Sequence, residues 1–333
     1  QRIGTDNPYY FLARQCVWAV AGAALMLLMM HLDTSRLKSQ AVVYTLVGGL
    51  IAALVFVLFQ PSINGTHRWI ILPMFQFQPS EFAKPVIILF LASQLASKEE
   101  RVNDLSSVLL PIGCVLAIVA GLILLQPDFG TAATILVVSA GMFFVAGLSW
   151  QRILTFALLL IPAAAAIALS ADYRRARLLS FLNPEADPLG SGFQAMQSLI
   201  AIGTGGLTGL GIGNGRQKLF FLPEPHTDFI FSIIGEELGF AGALGLLLLF
   251  GMLVWRGAKV ARHSRDRFAF YAALGFTLMI AVQVLINVSV ALCLLPTKGM
   301  PLPLVSYGGS SLLTSMLAIG ILLNLSQYSH QHS

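Results

Sequence analysis

The segment LPEPHTDFIFSIIGEELGFAGALGLLLLFGMLVW, Leu222 to Trp255, sets Glu224, His226 and Asp228 ahead of a long apolar run and buries Glu236 and Glu237 inside it. A carboxylate at the mouth of an apolar cavity can take a proton as a general base. It can equally serve the helix that follows, whose N-terminal dipole favours negative charge, with Thr227 as the expected N-cap. Glu236 and Glu237 pose a harder question. At 1.5 Å per residue they lie roughly 12–14 Å below Asp228 along a helix. At that depth a carboxylate costs several kcal/mol unless it is paired or hydrated, and such acids are functional candidates by default.

Three further constellations carry polar chemistry. In QPSEFAKP, Pro79 suits a first helical turn, and Glu81 and Lys84 fall on one helix face at i, i+3, the spacing of a salt bridge. In QPDFGTA, Pro127, Asp128 and Gly130 interrupt two apolar runs and read as a tight turn. In LPTKGMPLPLVSYGGSS, which holds Lys298 and Ser306, three prolines and a Gly-Gly forbid a continuous helix. That stretch is expected as a re-entrant or external loop lining a cavity. A glycine-dense run, GTGGLTGLGIGNGRQKLFFLPE, precedes Asp228. Its glycines permit tight turns and close backbone approach, and exposed N–H groups there would cradle phosphate. Lys218, Arg216, Arg174, Arg175 and Arg177 add positive charge on the same side, for lipid headgroups or an anionic substrate.

These groups must be positioned by membrane helices. The chain is 56% hydrophobic and 11% charged over 333 residues, against about 25% charged in a soluble domain. A hydrocarbon core of about 30 Å needs about 20 apolar residues per helix. On that rule spans fall near Phe11–Leu32, Ala41–Gln60, Glu81–Ser97, Val108–Gln126, Thr131–Trp150, Ile153–Ser170, Asp228–Trp255, Phe268–Leu294 and Ser310–Leu325. The expected class is an all-α polytopic bundle of about nine helices. Basic residues concentrate in alternate loops, including RGAKVARHSRDR, which places that end in the cytoplasm. Residues 171–227 then form one long external loop whose amphipathic stretches, among them SGFQAMQSLIAI, suit the membrane surface. The net charge of +5 reads as a topology signal; nothing supports nucleic-acid binding. Three cysteines far apart in sequence, Cys16, Cys114 and Cys293, argue against a disulfide framework or a metal site.

Taken in order, NGTHRWI, QPSEFAK, QPDFGTA, LPEPHTDFIFSIIGEELG and PLPLVSYGGSS resemble the SEDS family of polytopic peptidoglycan polymerases, along essentially the whole chain. GNGRQKLFFLPEPHTDF and LPTKGMPLPLVSYGGSS are closer to its division member than to its elongation member. The resemblance implies ten helices, with the first absent here, in a single transmembrane domain spanning 1–333. It implies polymerisation of lipid II into β-1,4 glycan strands on the outer membrane face, at the septum for a division member. It places the catalytic carboxylate at the Asp of HTDF, Asp228. Lys218, Arg174 and Arg175 become candidates for the undecaprenyl diphosphate leaving group, with His226, Glu224, Ser306 and Lys298 as further substrate contacts. Glu81 and Lys84 become a structural or activating pair, with Asp128, Glu236 and Glu237 ranked below them. No cofactor is required, although a divalent cation such as Mg would suit the diphosphate. The implied partners are a class B penicillin-binding transpeptidase and other divisome membrane proteins. A lipid II flippase or a non-catalytic scaffold for that transpeptidase would fit the same hydropathy.

Overall fold

In a computed structural model of the chain, the described residues are 10–62, 65–71, 75–155, 158, 192–217, 227–296 and 299–330. They form helices α1 (Tyr10–His31), α2 (Thr34–Lys38), α3 (Gln40–Val57), α4 (Pro79–Lys98), α5 (Leu110–Leu125), α6 (Phe129–Val145), α7 (Phe193–Gly205), α8 (Ile230–His263), α9 (Arg267–Ala291) and α10 (Gly309–His330). A two-residue antiparallel ladder, β1 (Ile70–Ile71) with β2 (Gln76–Phe77), pairs Ile70 with Phe77. Among the described residues six helices are long and apolar enough to cross a membrane. The expected span Ile153–Ser170 lies almost wholly outside them.

The helix starts follow from local chemistry. Pro79 opens α4, where its missing N–H costs nothing. Asp128 caps α6 by accepting the Thr131 N–H at 3.2 Å, and Asp266 caps α9 by accepting the Ala269 N–H at 3.2 Å. Helix α9 runs through the core, with Tyr271, Phe276, Met279 and Ile280 buried against α4, α6 and α8. By contrast, α1 exposes Leu12, Val17, Val20 and Leu28 and packs chiefly on α10. Small residues permit that approach: a Cβ on Gly320 would stand 2.6 Å from the Met26 carbonyl oxygen. Asn324 then donates to the carbonyls of Met29, Met30 and Leu32 at 2.6–3.0 Å, closing the end of α1.

One expectation is corrected here. Asp228–Trp255 is not one straight span. Gly239 sits at φ 68°, ψ −167°, which breaks α8 into two stretches. The stretch SGFQAMQSLIAI, expected at the membrane surface, keeps Leu199 and Ile200 exposed while its other face packs on the bundle. It forms α7, whose buried Ser198 meets the Ser232 hydroxyl at 2.6 Å and donates to the Ala291 carbonyl at 2.7 Å. Gly205 of α7 packs so tightly on Gly235 that a Cβ would come within 1.9 Å of its carbonyl oxygen.

The basic loops gather at one end of the bundle. Lys38 pairs with Asp266 at 2.6 Å and Arg267 with Glu99 at 3.0 Å. Asn103 bridges the Gly147 carbonyl and the Ser149 N–H, each at 2.9 Å. The N-termini of α4, α6, α8 and α10 and the C-terminus of α9 meet at the opposite end.

Candidate active site

That second end is where the separate motifs become one structure. Asp128 is 4% exposed and accepts from Ser80 Oγ at 2.9 Å and Gln78 Nε2 at 3.2 Å, besides capping its own helix. Gln78 N–H in turn donates to Ser310 Oγ at 3.1 Å, which ties QPSEFAK to the start of α10. Arg68 of NGTHRWI donates to the Gln126 carbonyl at 2.9 Å and to the Pro127 carbonyl, holding the turn that presents Asp128. The turn expected at QPDFGTA is present, but its carboxylate is buried and ties the start of α4 to the start of α6.

One helical turn further in, Lys84 Nζ stands 2.8 Å from Glu81 Oε2, both side chains buried. Thr314 Oγ1 of α10 approaches the same oxygen at 3.4 Å. A buried ion is tolerated only when paired, so each charge accounts for the other. A small cavity beside Lys84 is lined by Ile87, Ile88, Thr134, Val138 and Met279.

Asp228 lies in a turn, 227–229, ahead of α8; the helix begins at Ile230 and its N-cap position is Phe229. Thr227 is therefore not the cap. The half-buried Asp228 lies against Gly299: a Cβ there would be 2.9 Å from Asp228 Oδ2, and the three closest atoms are all of that carboxylate. Two polar side chains fasten this turn to the loop after α9. Ser306 Oγ donates to the Thr227 carbonyl at 2.5 Å and accepts the Leu302 N–H at 2.7 Å. Asn287 Nδ2 donates to the Asp228 carbonyl at 3.0 Å and the Met300 carbonyl at 2.7 Å. Ser306 is 3% exposed and its one proton serves the Thr227 carbonyl, so it fastens the loop to this turn.

Glu236 and Glu237 have a different occupation. The N–H groups of Arg216 and Gln217 donate to Glu236 Oε1 at 2.8 and 3.2 Å, and that of Gly213 to Glu237 Oε2 at 3.1 Å. The main chain repeats the pattern. Where α8 breaks, the Glu236 and Glu237 carbonyls accept from Leu210 and Gly211, while the Phe240 and Ala241 N–H groups donate to the Gly206 and Leu207 carbonyls, all at 2.9–3.1 Å. The glycine-dense run thus supplies the hydrogen bonds that an unbroken helix would make. The N–H groups of Gly213, Arg216 and Gln217 hold these carboxylates, which corrects the phosphate-cradle expectation for those three. Arg174, Arg175, Lys218, Glu224, His226 and Lys298 lie outside the described residues.

Asn287, Gly299 and Arg68 are the site residues that motif reading passed over. The signal for Asn287 was a lone amide in the apolar run VLINVSVALCLL; Gly299 gave none, because only its proximity to Asp228 marks it.

The family model for the cell cycle proteins FtsW, RodA and SpoVE matches residues 2–331. The chain belongs to this family. It is 43% identical over 322 residues to the probable peptidoglycan glycosyltransferase FtsW of Geobacter metallireducens, covering 96% of this chain and 85% of that one. It is 40% identical over 328 residues to stage V sporulation protein E of Bacillus subtilis, covering 97% and 89%. Among solved structures, a chain of a peptidoglycan synthase complex coordinating polymerization and crosslinking superposes with a TM-score of 0.81 at 34% identity, covering 98% and 91%. The rod shape determining protein RodA of Thermus thermophilus gives 0.71 at 32%, covering 98% and 90%. The family places the chain among multi-pass membrane proteins with a RodA-like helical fold, in agreement with the apolar helices.

Proposed function

We propose that this chain is a peptidoglycan glycosyltransferase that polymerises lipid II during cell division, with Asp228 as the general base. The carrying observation is the convergence of four motifs, scattered over more than half the chain, on the end of the bundle that holds the Asp228 carboxylate against Gly299. The FtsW names of the relatives support the activity and the division setting. In the reaction, the acceptor sugar's 4-hydroxyl gives its proton to Asp228 as its oxygen attacks the donor's anomeric carbon. The bond from that carbon to undecaprenyl diphosphate breaks with its electron pair on the diphosphate, and α becomes β in one displacement. Lys218, Arg174 and Arg175 are the cations assigned to the leaving group, on sequence grounds. Among the described residues no three His, Cys, Asp or Glu side chains gather as a divalent-cation site.

The site end lies opposite the basic loops, which supports an active site on the outer face of the cytoplasmic membrane and, for a division enzyme, at the septum. The similarity to a chain of a synthase complex supports a class B penicillin-binding transpeptidase as partner, together with other divisome membrane proteins. The test is polymerisation of purified lipid II by the partner-bound protein with Asp228→Asn. Loss of a positioned base removes about 10²–10⁴-fold in rate, and glycan strands should disappear while folding and partner binding persist. Normal polymerisation by that variant would return the flippase and scaffold readings.

A further inference from the structure

We propose that Gly299 and Asn287 are positioning residues for the Asp228 carboxylate: Asn287 fixes the main chain of its turn, and the bare Cα of Gly299 is the surface on which the carboxylate rests. The inference rests on the reading of Asp228 as the base and goes beyond it, since neither residue is charged and neither need touch substrate.

Asn287 is 1% exposed near the end of α9 and gives both amide hydrogens to carbonyls of different segments, Asp228 and Met300. Its own Oδ1 is buried without a hydrogen-bond partner. A buried polar atom left unpaired is unfavourable, and reversing the amide would face Oδ1 with two carbonyl oxygens. The side chain therefore sits where its donors, and not its acceptor, are satisfied. The adjacent carbonyl, that of Thr227, is held by Ser306. Two consecutive carbonyls of the turn are thus fixed to the 299–306 loop before α8 starts. The Cα of Gly299 then faces Asp228 Oδ2, Cγ and Oδ1, at 2.9, 3.5 and 3.6 Å from the place a Cβ would occupy. The nearest atoms to a methyl there are the end of one flexible side chain, so the carboxylate is the group that must give way. Displacing a reacting group by about 1 Å costs about 10²-fold in rate.

The experiment compares wild type, Asp228→Asn, Gly299→Ala and Asn287→Ala, each purified with its transpeptidase partner, for lipid II polymerisation and thermal unfolding. Gly299→Ala should unfold like wild type and lose about 10- to 100-fold in kcat. Its KM for lipid II should stay within about two-fold, the signature of an interaction acting in the transition state. Asn287→Ala should lose kcat in the same way, and adding either change to Asp228→Asn should cause no loss beyond that of Asp228→Asn alone. Wild-type kcat in a folded Gly299→Ala protein, or a defect confined to KM, overturns the proposal while leaving Asp228 as the base. If Asn287→Ala does not fold, Gly299→Ala decides. An active Asp228→Asn removes the underlying reading and with it the need for positioning, an outcome seen in that variant alone.

Discussion

Asp228 and Glu236 stand eight residues apart around the start of one helix, and the fold treats them in opposite ways. Glu236 is 1% exposed and has two backbone N–H donors on one of its oxygens. Asp228 is half-buried in a turn, with its carboxylate laid against a glycine and its main chain held from two sides. The first acid holds two backbone amides of a neighbouring segment; the second sits where the turn before α8 meets the loop after α9. An intramembrane carboxylate is therefore no guide to chemistry until the partners of its oxygens are known. Glu236 answers a backbone problem, the helix break at Gly239, whose neighbouring segment must be tied down if its N–H groups are not to be left unpaired.

The contrast can be broken most severely at the break itself. Gly239 occupies a region of backbone space open essentially only to glycine, and a Cβ would lie 2.3 Å from the Gly209 nitrogen. Gly239→Ala should cost more than about 3 kcal/mol and yield little folded protein, read as loss of a monodisperse peak on purification. Next in size is the buried pair. Lys84→Met leaves the Glu81 carboxylate uncompensated and should lower stability by about 3–5 kcal/mol, whereas Glu81→Leu with Lys84→Met together should cost much less. Thermal unfolding of the two variants separates the cases. Glu236→Ala strands the amides of Arg216 and Gln217, for about 1–3 kcal/mol. Its lost activity should follow the unfolded fraction, while Asp228→Asn should lose activity at nearly unchanged stability. Equal stability losses in the two would erase the distinction drawn here.

The smallest effect lies at the basic end. The Ser107 hydroxyl, then the Ser106 N–H, hold the exposed Asp104 carboxyl below its ordinary value of 3.8. A carboxyl lowered by folding contributes stability that is fully present above about pH 4 and is lost as pH falls through the lowered value. Asp104→Asn should therefore flatten slightly the acid limb of a stability–pH curve and change nothing at neutral pH.

Much of this was legible in the residues. Apolar runs of the right length located α1, α3, α4, α5, α6, α8, α9 and α10, and the alternation of basic loops matched the end where Lys38, Glu99, Asn103, Asp266 and Arg267 meet. The i, i+3 spacing anticipated the Glu81–Lys84 contact, because pairs at that spacing are neighbours on a helix whatever surrounds them. Hydropathy failed at Gly239, since a glycine inside an apolar run looks the same whether the helix continues or breaks. It failed again at Asp128, where a turn residue became a buried acceptor for Gln78 and Ser80 from elsewhere in the chain.

Composition and spacing thus settled what depends on neighbours along the chain: that the protein is a membrane helix bundle, which end is basic, and which acids lie outside lipid's tolerance. Which donors reach Glu236 and Glu81 was decided in part by contacts 20 and 233 residues apart in sequence, Arg216 to Glu236 and Thr314 to Glu81. A carboxylate's role is fixed by the donors and the space around its two oxygens, and those are supplied by segments that only folding brings beside it.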